Sequence, residues 1–373
     1  MDCCYTLIMT KKILLTGTHL TPALELIRQL QQDSKNNWQI SYIGRESNSN
    51  DPQNTSIEST IIPSLGVNFY PISCGKLDRR YLPNTLIGIP KTIKGFFQSI
   101  KLINLIKPDI IVSFGGYVSV PIIIISALQK IKSITHEQTL TNSLTTKINS
   151  FFVTKIALSF NNQKQIEKLP KDKIVITGNL LRFDLFQKNP PIPKGLKFYP
   201  ATTGANKPLI YITAGNQGSH TINLNLKKIL PQLKNFNIIH QTGKNDLKYF
   251  SKLSKTYPNY FVSDYFNTQS FAWIINHSDL IISRSGANTS QEIVAFNKKS
   301  ILIPLPKSQQ NEQLLNAQWV KKQLPKTIII NNDQLKPKTL IDSINMLSKQ
   351  KTKNKKILQQ PNLKLLKLIN EII

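Results

Sequence analysis

Residues 279–319 read DLIISRSGANTSQEIVAFNKKSILIPLPKSQQNEQLLNAQW. Leu280-Ile281-Ile282 is a short apolar run of the kind that forms a buried strand, and Ile301-Leu302-Ile303 is a second, stopped by Pro304 and Pro306. Between them Ser285-Gly286-Ala287-Asn288-Thr289 turns the chain into a helix with Ile293, Val294 and Phe296 on its apolar side. Strand, small-residue turn, helix and strand make a βαβ unit, whose two strands run parallel. The turn leaves backbone N–H groups open at the helix N-terminus, beside the positive end of its dipole, where a phosphate is stabilised. Glu292 lies one turn into the helix, where a carboxylate can accept two sugar hydroxyls at once. Gln313 and Asn316 follow at the rim of the same crevice. The bland reading of these letters is a capping box, Thr289-x-x-Glu292, in which the glutamate serves helix stability alone.

The rest of the chain repeats this alternation. Lys12–Thr16 is a short apolar strand; Gly17-Thr18-His19 turns it into a helix with Ala23, Leu24, Leu26, Ile27 and Leu30 at helical spacing and Pro22 in the first turn. Further strands are expected at Ile40–Arg45, Val67–Ile72 and Asp109–Ser113, with a polar surface loop at 47–56. Phe114-Gly115-Gly116-Tyr117 closes the last of these before an apolar helix, and such glycines admit either a ligand or a neighbouring helix. His136, Glu137 and Gln138 end the next strand, on the edge of the sheet where ligands bind. A lone histidine there is more often hydrogen-bonded structure than a base. After a Pro-rich connection at 190–208, a second series opens with Leu209–Thr213 and the turn Ala214-Gly215-Asn216-Gln217-Gly218-Ser219. Two such series in 373 residues predict an α/β chain with two Rossmann-like, doubly wound domains.

Charge narrows the partners. Lys and Arg total 48 against 20 Asp and Glu, a formal charge of +28, which favours anionic partners. The positive residues are scattered, without the dense blocks of a nucleic-acid arm, so no nucleic acid is expected and an anionic membrane surface is. Leu82, Leu86, Ile87, Ile89, Ile93, Phe96 and Phe97 interleave with Arg79, Arg80, Lys91 and Lys94, a basic-apolar stretch suited to a bilayer interface. An ordinary helix pair with one core face fits the same periodicity. No run reaches the length of a spanning helix. Cys3, Cys4 and Cys74 offer neither a disulfide framework nor metal spacing, as in a reducing compartment. MTKKILL from Met9 opens cleanly into the first strand, which makes Met9 an alternative start. No Asp-x-Asp pair or His/Cys/carboxylate cluster suggests a metal, and no cofactor is expected.

SRSGANTSQE with PLPKSQQNEQLLNA, PDIIVSFGGYVSVP, HEQ, TGNLLR and AGNQGS together resemble the MurG family, glycosyltransferase family 28, over nearly the whole chain. The resemblance implies two domains facing a cleft (the GT-B arrangement). Residues 1–181 would be the acceptor and membrane-docking domain, 182–352 the UDP-sugar domain, and 353–373 a helix returning to the first. It implies transfer of N-acetylglucosamine from UDP-N-acetylglucosamine to lipid I, with inversion, at the cytoplasmic face of the cell membrane. His19 would be the base. Ser285, Gly286, Ala287, Asn288, Thr289, Ser290, Gln291 and Glu292, with Arg182, Asn216, Gln313, Asn316 and a loosely placed Phe266, would hold the donor. Gly115, Gly116, Tyr117, His136, Glu137 and Gln138 would line the acceptor side.

Three positions depart from the family pattern. The glycine-rich first loop, a donor-side element, is shortened to Thr16-Gly17-Thr18 before His19. Thr139 stands where the family has a donor-contacting asparagine, and Asn216 where it has serine. These departures leave open two other readings. One is a related UDP-sugar transferase with another lipid-linked acceptor, and the other a non-catalytic, membrane-associated nucleotide-sugar-binding protein.

Overall fold

The computed structural model describes residues 10–48, 51–75, 82–198, 207–215, 217–306, 311–350 and 362–373, with backbone alone at 48, 51–54 and 82–89. Cys3, Cys4, Met9, Arg79, Arg80 and Asn216, and the side chains of Leu82, Leu86, Ile87 and Ile89, lie outside what it describes. The chain forms two compact units, 1–180 with 362–373, and 181–361.

The first unit carries β1 (Thr10–Gly17), β2 (Asn37–Gly44), β3 (Ser47–Asn48), β4 (Asp51–Thr55), β5 (Asn68–Pro71), β6 (Ile110–Phe114), β7 (Lys132–Glu137), β8 (Lys155–Leu158) and β9 (Ile174–Ile176). Seven of these form a parallel sheet in the order β5-β2-β1-β6-β7-β8-β9. Its central strands read as unbroken apolar runs because both faces are covered. Ile13 and Leu15 pack on one side with Leu26, Ile27 and Leu30, whereas Leu14 faces Ile103, Ile111 and Ile122 on the other. Leu365, Leu368 and Ile369 of the C-terminal helix Lys364–Ile372 join the first of these cores. Burial of each contributes roughly 1.5–3 kcal/mol, which ties the chain end to this unit.

Two stretches of the first unit differ from the sequence expectation. The polar stretch at 47–56 is no simple loop. β3 and β4 pair antiparallel, and the buried hydroxyl of Ser56 then caps the helix Ile57–Ser64 by accepting from Ser59 N. The basic-apolar stretch is one 25-residue helix, Leu82–Ile106, and not a pair.

The second unit carries β10 (Leu209–Thr213), β11 (Asn237–Gln241), β12 (Tyr260–Ser263), β13 (Leu280–Ser283), β14 (Lys299–Leu302) and β15 (Thr327–Ile329). All are parallel, in the order β12-β11-β10-β13-β14-β15. In both sheets the order reverses beside the first strand, between β1 and β6 and between β10 and β13. Such a switch point opens a crevice at the strands' carboxyl ends, where ligands of this architecture bind. The same device shapes both crevices. Gly115 N donates to Ser113 Oγ at 3.2 Å after β6, and Gly215 N donates to Thr213 Oγ1 at 3.1 Å after β10.

Candidate active site

In the second unit the turn after β13 leads into the helix Ala287–Ala295, whose N-cap is Gly286. Among the described residues no N-cap side chain caps it, and its first turn holds no acidic residue, so the positive end of this helix suits an anion. Thr289 lies inside the helix, two residues beyond its first position, and therefore cannot cap it. The capping-box reading of Glu292 fails on that geometry. Glu292 instead turns toward Arg182, whose Nε and Nη2 both donate to Oε1, at 3.1 and 2.7 Å. Oε2 has no partner among the described residues. The Arg182 guanidinium lies 4.3 Å over the Phe271 ring, which fixes its plane from behind.

Arg182, Glu292, Thr289, Gly215, Gln241 and Phe266 line one pocket at the crevice of this sheet. Tyr211, Tyr265 and Phe271 complete its aromatic wall. Tyr211 Oη donates to Gln241 Oε1 at 3.0 Å, and Gln241 Nε2 donates to the Gly215 carbonyl at 3.1 Å, so the wall also holds the loop after β10. Gly218 in that loop has φ +71° and no room for a Cβ against the Thr242 carbonyl, which is why this loop needs glycine there. Sequence reading missed Tyr211, Gln241, Tyr265 and Phe271. The available signal was alternation: Leu209, Tyr211 and Thr213 share a strand face, and Gln241 is a polar residue ending a buried strand.

The other residues expected at the donor are placed as follows. Ser290 and Gln291 are buried away from the pocket. Ser285 is fully buried; its hydroxyl donates to the Gln313 carbonyl at 2.7 Å, and its own carbonyl accepts from Asn316 Nδ2 at 3.0 Å. Gln313 Oε1 accepts from Leu305 N at 2.9 Å. Gln313 and Asn316 thus brace the turn from behind. Asn288 lies half-buried in the first helical turn.

In the first unit His19 is the N-cap of the helix Leu20–Gln31, and its half-buried ring packs beside Gly115. A Cβ on Gly115 would stand 3.2 Å from His19 Cδ2, and one on Gly116 would overlap the Thr18 side chain. Gly17, at φ +138°, has no room for a Cβ against Phe114 and Gly115, and Thr18 N donates to the Gly115 carbonyl at 3.1 Å. These glycines therefore have a packing reason: two loops cross at contact distance. Burial lowers the His19 pKa and the Glu137 carboxylate partly opposes this, leaving a neutral imidazole at pH 7. Thr16 is fully buried.

His136 is buried, with Nε2 3.3 Å from both the Gly178 carbonyl and Ser159 Oγ, and burial pushes its pKa down to about 4. It is a neutral structural group. Buried Glu137 accepts from Thr139 N, Thr139 Oγ1, Ser143 N and Thr146 Oγ1 at 2.7–3.1 Å, organising the loop after β7. Thr139, expected at the donor, has its hydroxyl engaged within that loop. Gln138 is half-buried beside it. Burial raises the Tyr117 pKa and the nearby Arg45 charge partly opposes this, while Arg45 pairs with buried Glu58 at 2.6 Å.

Two family models match the chain. The glycosyltransferase family 28 N-terminal domain matches residues 16–158, and the family's C-terminal domain matches 209–371. A Clostridium botulinum protein named UDP-N-acetylglucosamine--N-acetylmuramyl-(pentapeptide) pyrophosphoryl-undecaprenol N-acetylglucosamine transferase is 36% identical over 344 residues, covering 90% of this chain and 91% of that one. The chain belongs to glycosyltransferase family 28. A Bacillus cereus family member, the transferase numbered 2 under the same name, is 34% identical over 94% of this chain and 96% of its own. The crystal structure of Acinetobacter baumannii MurG shares the fold, with TM-score 0.66 at 20% identity over 97% of this chain and 99% of that one. The UDP-GlcNAc 2-epimerase of Methanocaldococcus jannaschii shares it too, with TM-score 0.61 at 14% identity over 97% of this chain and 100% of the epimerase.

Proposed function

We propose that this family 28 enzyme transfers N-acetylglucosamine from UDP-N-acetylglucosamine to the muramoyl C4 hydroxyl of lipid I, forming lipid II with inversion at the anomeric carbon. The observation that carries the donor half is the pocket under an uncapped helix N-terminus, where Arg182 fixes one oxygen of Glu292 and leaves the other free. That free oxygen would accept the ribose hydroxyls, with Phe266 and its neighbours about the uracil. The positive end of the helix that begins at Ala287 would face the diphosphate, with Gln313 and Asn316 acting through the turn they brace. Neutral His19 would take the proton of the acceptor hydroxyl as its oxygen bonds to C1. The C1–O bond to the β-phosphate breaks, and its electron pair leaves with UDP. Fixed N–H dipoles stabilise that charge, so the step needs no bound cation.

The acceptor is lipid-linked, and the helix Leu82–Ile106 offers a surface to reach it. Ile93, Phe97 and Ile100 are exposed along one stripe, at 53%, 69% and 37%, with Lys91, Lys94 and Lys101 exposed beside them. Phe96 turns inward against the core and is not part of the stripe. Among the described residues no helix is long and apolar enough to cross a membrane. We read the protein as peripheral, resting on an anionic cytoplasmic leaflet. The test is incubation of the purified protein with labelled UDP-N-acetylglucosamine and a lipid I analogue. Formation of a disaccharide-lipid product supports the proposal, and donor binding without transfer would replace it with the binding-protein reading.

A further inference from the structure

Arg284 immediately precedes the Ser285-Gly286 turn, and its surroundings do not answer its charge. The half-buried guanidinium gives Nη1 to the Ile303 carbonyl at 3.1 Å, the Pro304 carbonyl at 3.2 Å and Asn332 Oδ1 at 2.9 Å, and Nη2 to Ser219 Oγ at 2.9 Å. Every one of these acceptors is neutral. Among the described residues no Asp or Glu pairs with it, and burial lowers its pKa with no carboxylate opposing. Holding a cation half out of water against dipoles alone is costly. A purely structural tie among these loops would be served by a neutral amide of similar reach.

The partners explain the placement. Ser219 closes the Gly215 loop after β10, Ile303 and Pro304 follow β14, and Asn332 follows β15. Arg284 itself joins β13 to the open helix N-terminus at Ala287. It therefore ties together the loops at the carboxyl edge of the second sheet, and brings to that edge a positive charge that no described carboxylate neutralises.

We propose that Arg284 is a positioning residue for the donor diphosphate: it fastens the Gly215–Ser219 loop to the Ser285 turn and supplies charge that only the incoming phosphates neutralise. This rests on the donor reading above. It acts through the loops it holds and through its field, with all four of its bonds remaining on protein atoms.

The test separates charge from scaffolding by comparing two probes, UDP and uridine, which share the nucleoside and differ in the diphosphate. Wild-type protein should bind UDP well and uridine weakly. Arg284→Gln should weaken UDP binding about tenfold or more, as expected for a charge acting in a partly buried setting, while uridine affinity stays within about twofold. Arg284→Lys keeps the charge and should keep most of the preference for UDP. Equal losses for both probes, or no loss for UDP, in Arg284→Gln would overturn the proposal. Should Arg284→Gln not fold, Arg284→Lys decides alone: a preference that collapses with the charge retained overturns it. Wild-type protein that binds no UDP removes the donor reading itself, and this proposal with it.

Discussion

Truncating Glu292 and truncating Arg182 should have opposite signatures, because the two partners are buried to different depths. The Glu292 side chain is 2% exposed and that of Arg182 25%, and both bonds fall on a single carboxylate oxygen. Glu292→Ala removes the free Oε2, so a ligand loses a hydrogen bond to a charged group, roughly 1.5–3 kcal/mol or about 10–150-fold in Kd. It also strips Arg182 of its anion, but that guanidinium keeps partial hydration and the Phe271 face, which holds the stability loss to roughly 1–2 kcal/mol. Arg182→Ala does the reverse. It strands a buried carboxylate, for which a loss of about 3 kcal/mol in stability is expected. Calorimetric titration with UDP and urea denaturation of the same samples read the two effects separately. Should Glu292→Ala bind UDP normally and only unfold earlier, the carboxylate is an anchor for Arg182, and the pocket argument fails.

Three further expectations follow from the first unit and from the buried histidines. His19→Ala should reduce turnover by about 10²–10⁴-fold, the contribution of a positioned base, while UDP affinity in the second unit is unchanged. Its pH–rate profile should lose an acidic limb that in the parent enzyme lies below the ordinary histidine pKa, since burial lowers that value; a matching loss of UDP affinity would assign His19 to the donor instead. Replacing Ile93 and Phe97 together by Ser should release the protein from anionic liposomes without lowering its melting temperature, and binding by the parent should weaken with salt; unfolding of the variant would make the stripe core. Buried His136 and His240, with pKa values near 4 and 3, cannot take protons that the unfolded chain accepts near 6.5. Stability should therefore be complete above that value and fall by about 2 kcal/mol for each between pH 7 and pH 5, a loss that urea titration at the two pH values measures and that neutral replacements should flatten.

How much of this was legible in the sequence depended on whether the cause was local. The βαβ unit at 279–303 announced itself because two apolar runs and a small-residue turn encode strand, turn and helix within a few residues. The helix Ile57–Ser64 was missed because its periodicity is short and begins inside a polar stretch, where the decisive feature is one capping serine, Ser56. Thr289 and Glu292 at capping-box spacing misled for a related reason: the motif fits, but the helix starts two residues earlier, at Ala287, behind Gly286. Tyr211 and Phe271 reach the pocket from elements 60 residues apart, and no local pattern links them. The same holds for Arg182, whose partner lies 110 residues away. Phe96 and Phe97 are adjacent letters with opposite fates, because a helix turns successive side chains by about 100° and only packing decides which one is covered.

The shortened first loop weighs least against the enzyme reading once its packing is considered. A glycine-rich loop of fuller length would rely on backbone conformation to shape itself. Here Thr16-Gly17-Thr18 is braced from outside: the Gly17 carbonyl accepts from Tyr42 Oη at 2.8 Å, and Thr18 N donates to the Gly115 carbonyl. Thr18 fills the space over Gly116, and His19 lies beside Gly115. The loop after β6 thus supplies the rigidity that residues missing from the first loop would have given. Adding side chains at this crossing should consequently harm the base as much as the fold. Gly115→Ala puts a methyl group against the His19 ring at a backbone φ of +69°, where any L-residue is strained. Turnover should fall more steeply than the modest destabilisation, about 1–2 kcal/mol, explains, while UDP binding in the second unit stays unchanged. A Gly115→Ala enzyme with parental turnover and lowered stability would show that the crossing carries packing alone, and that His19 finds its position without it.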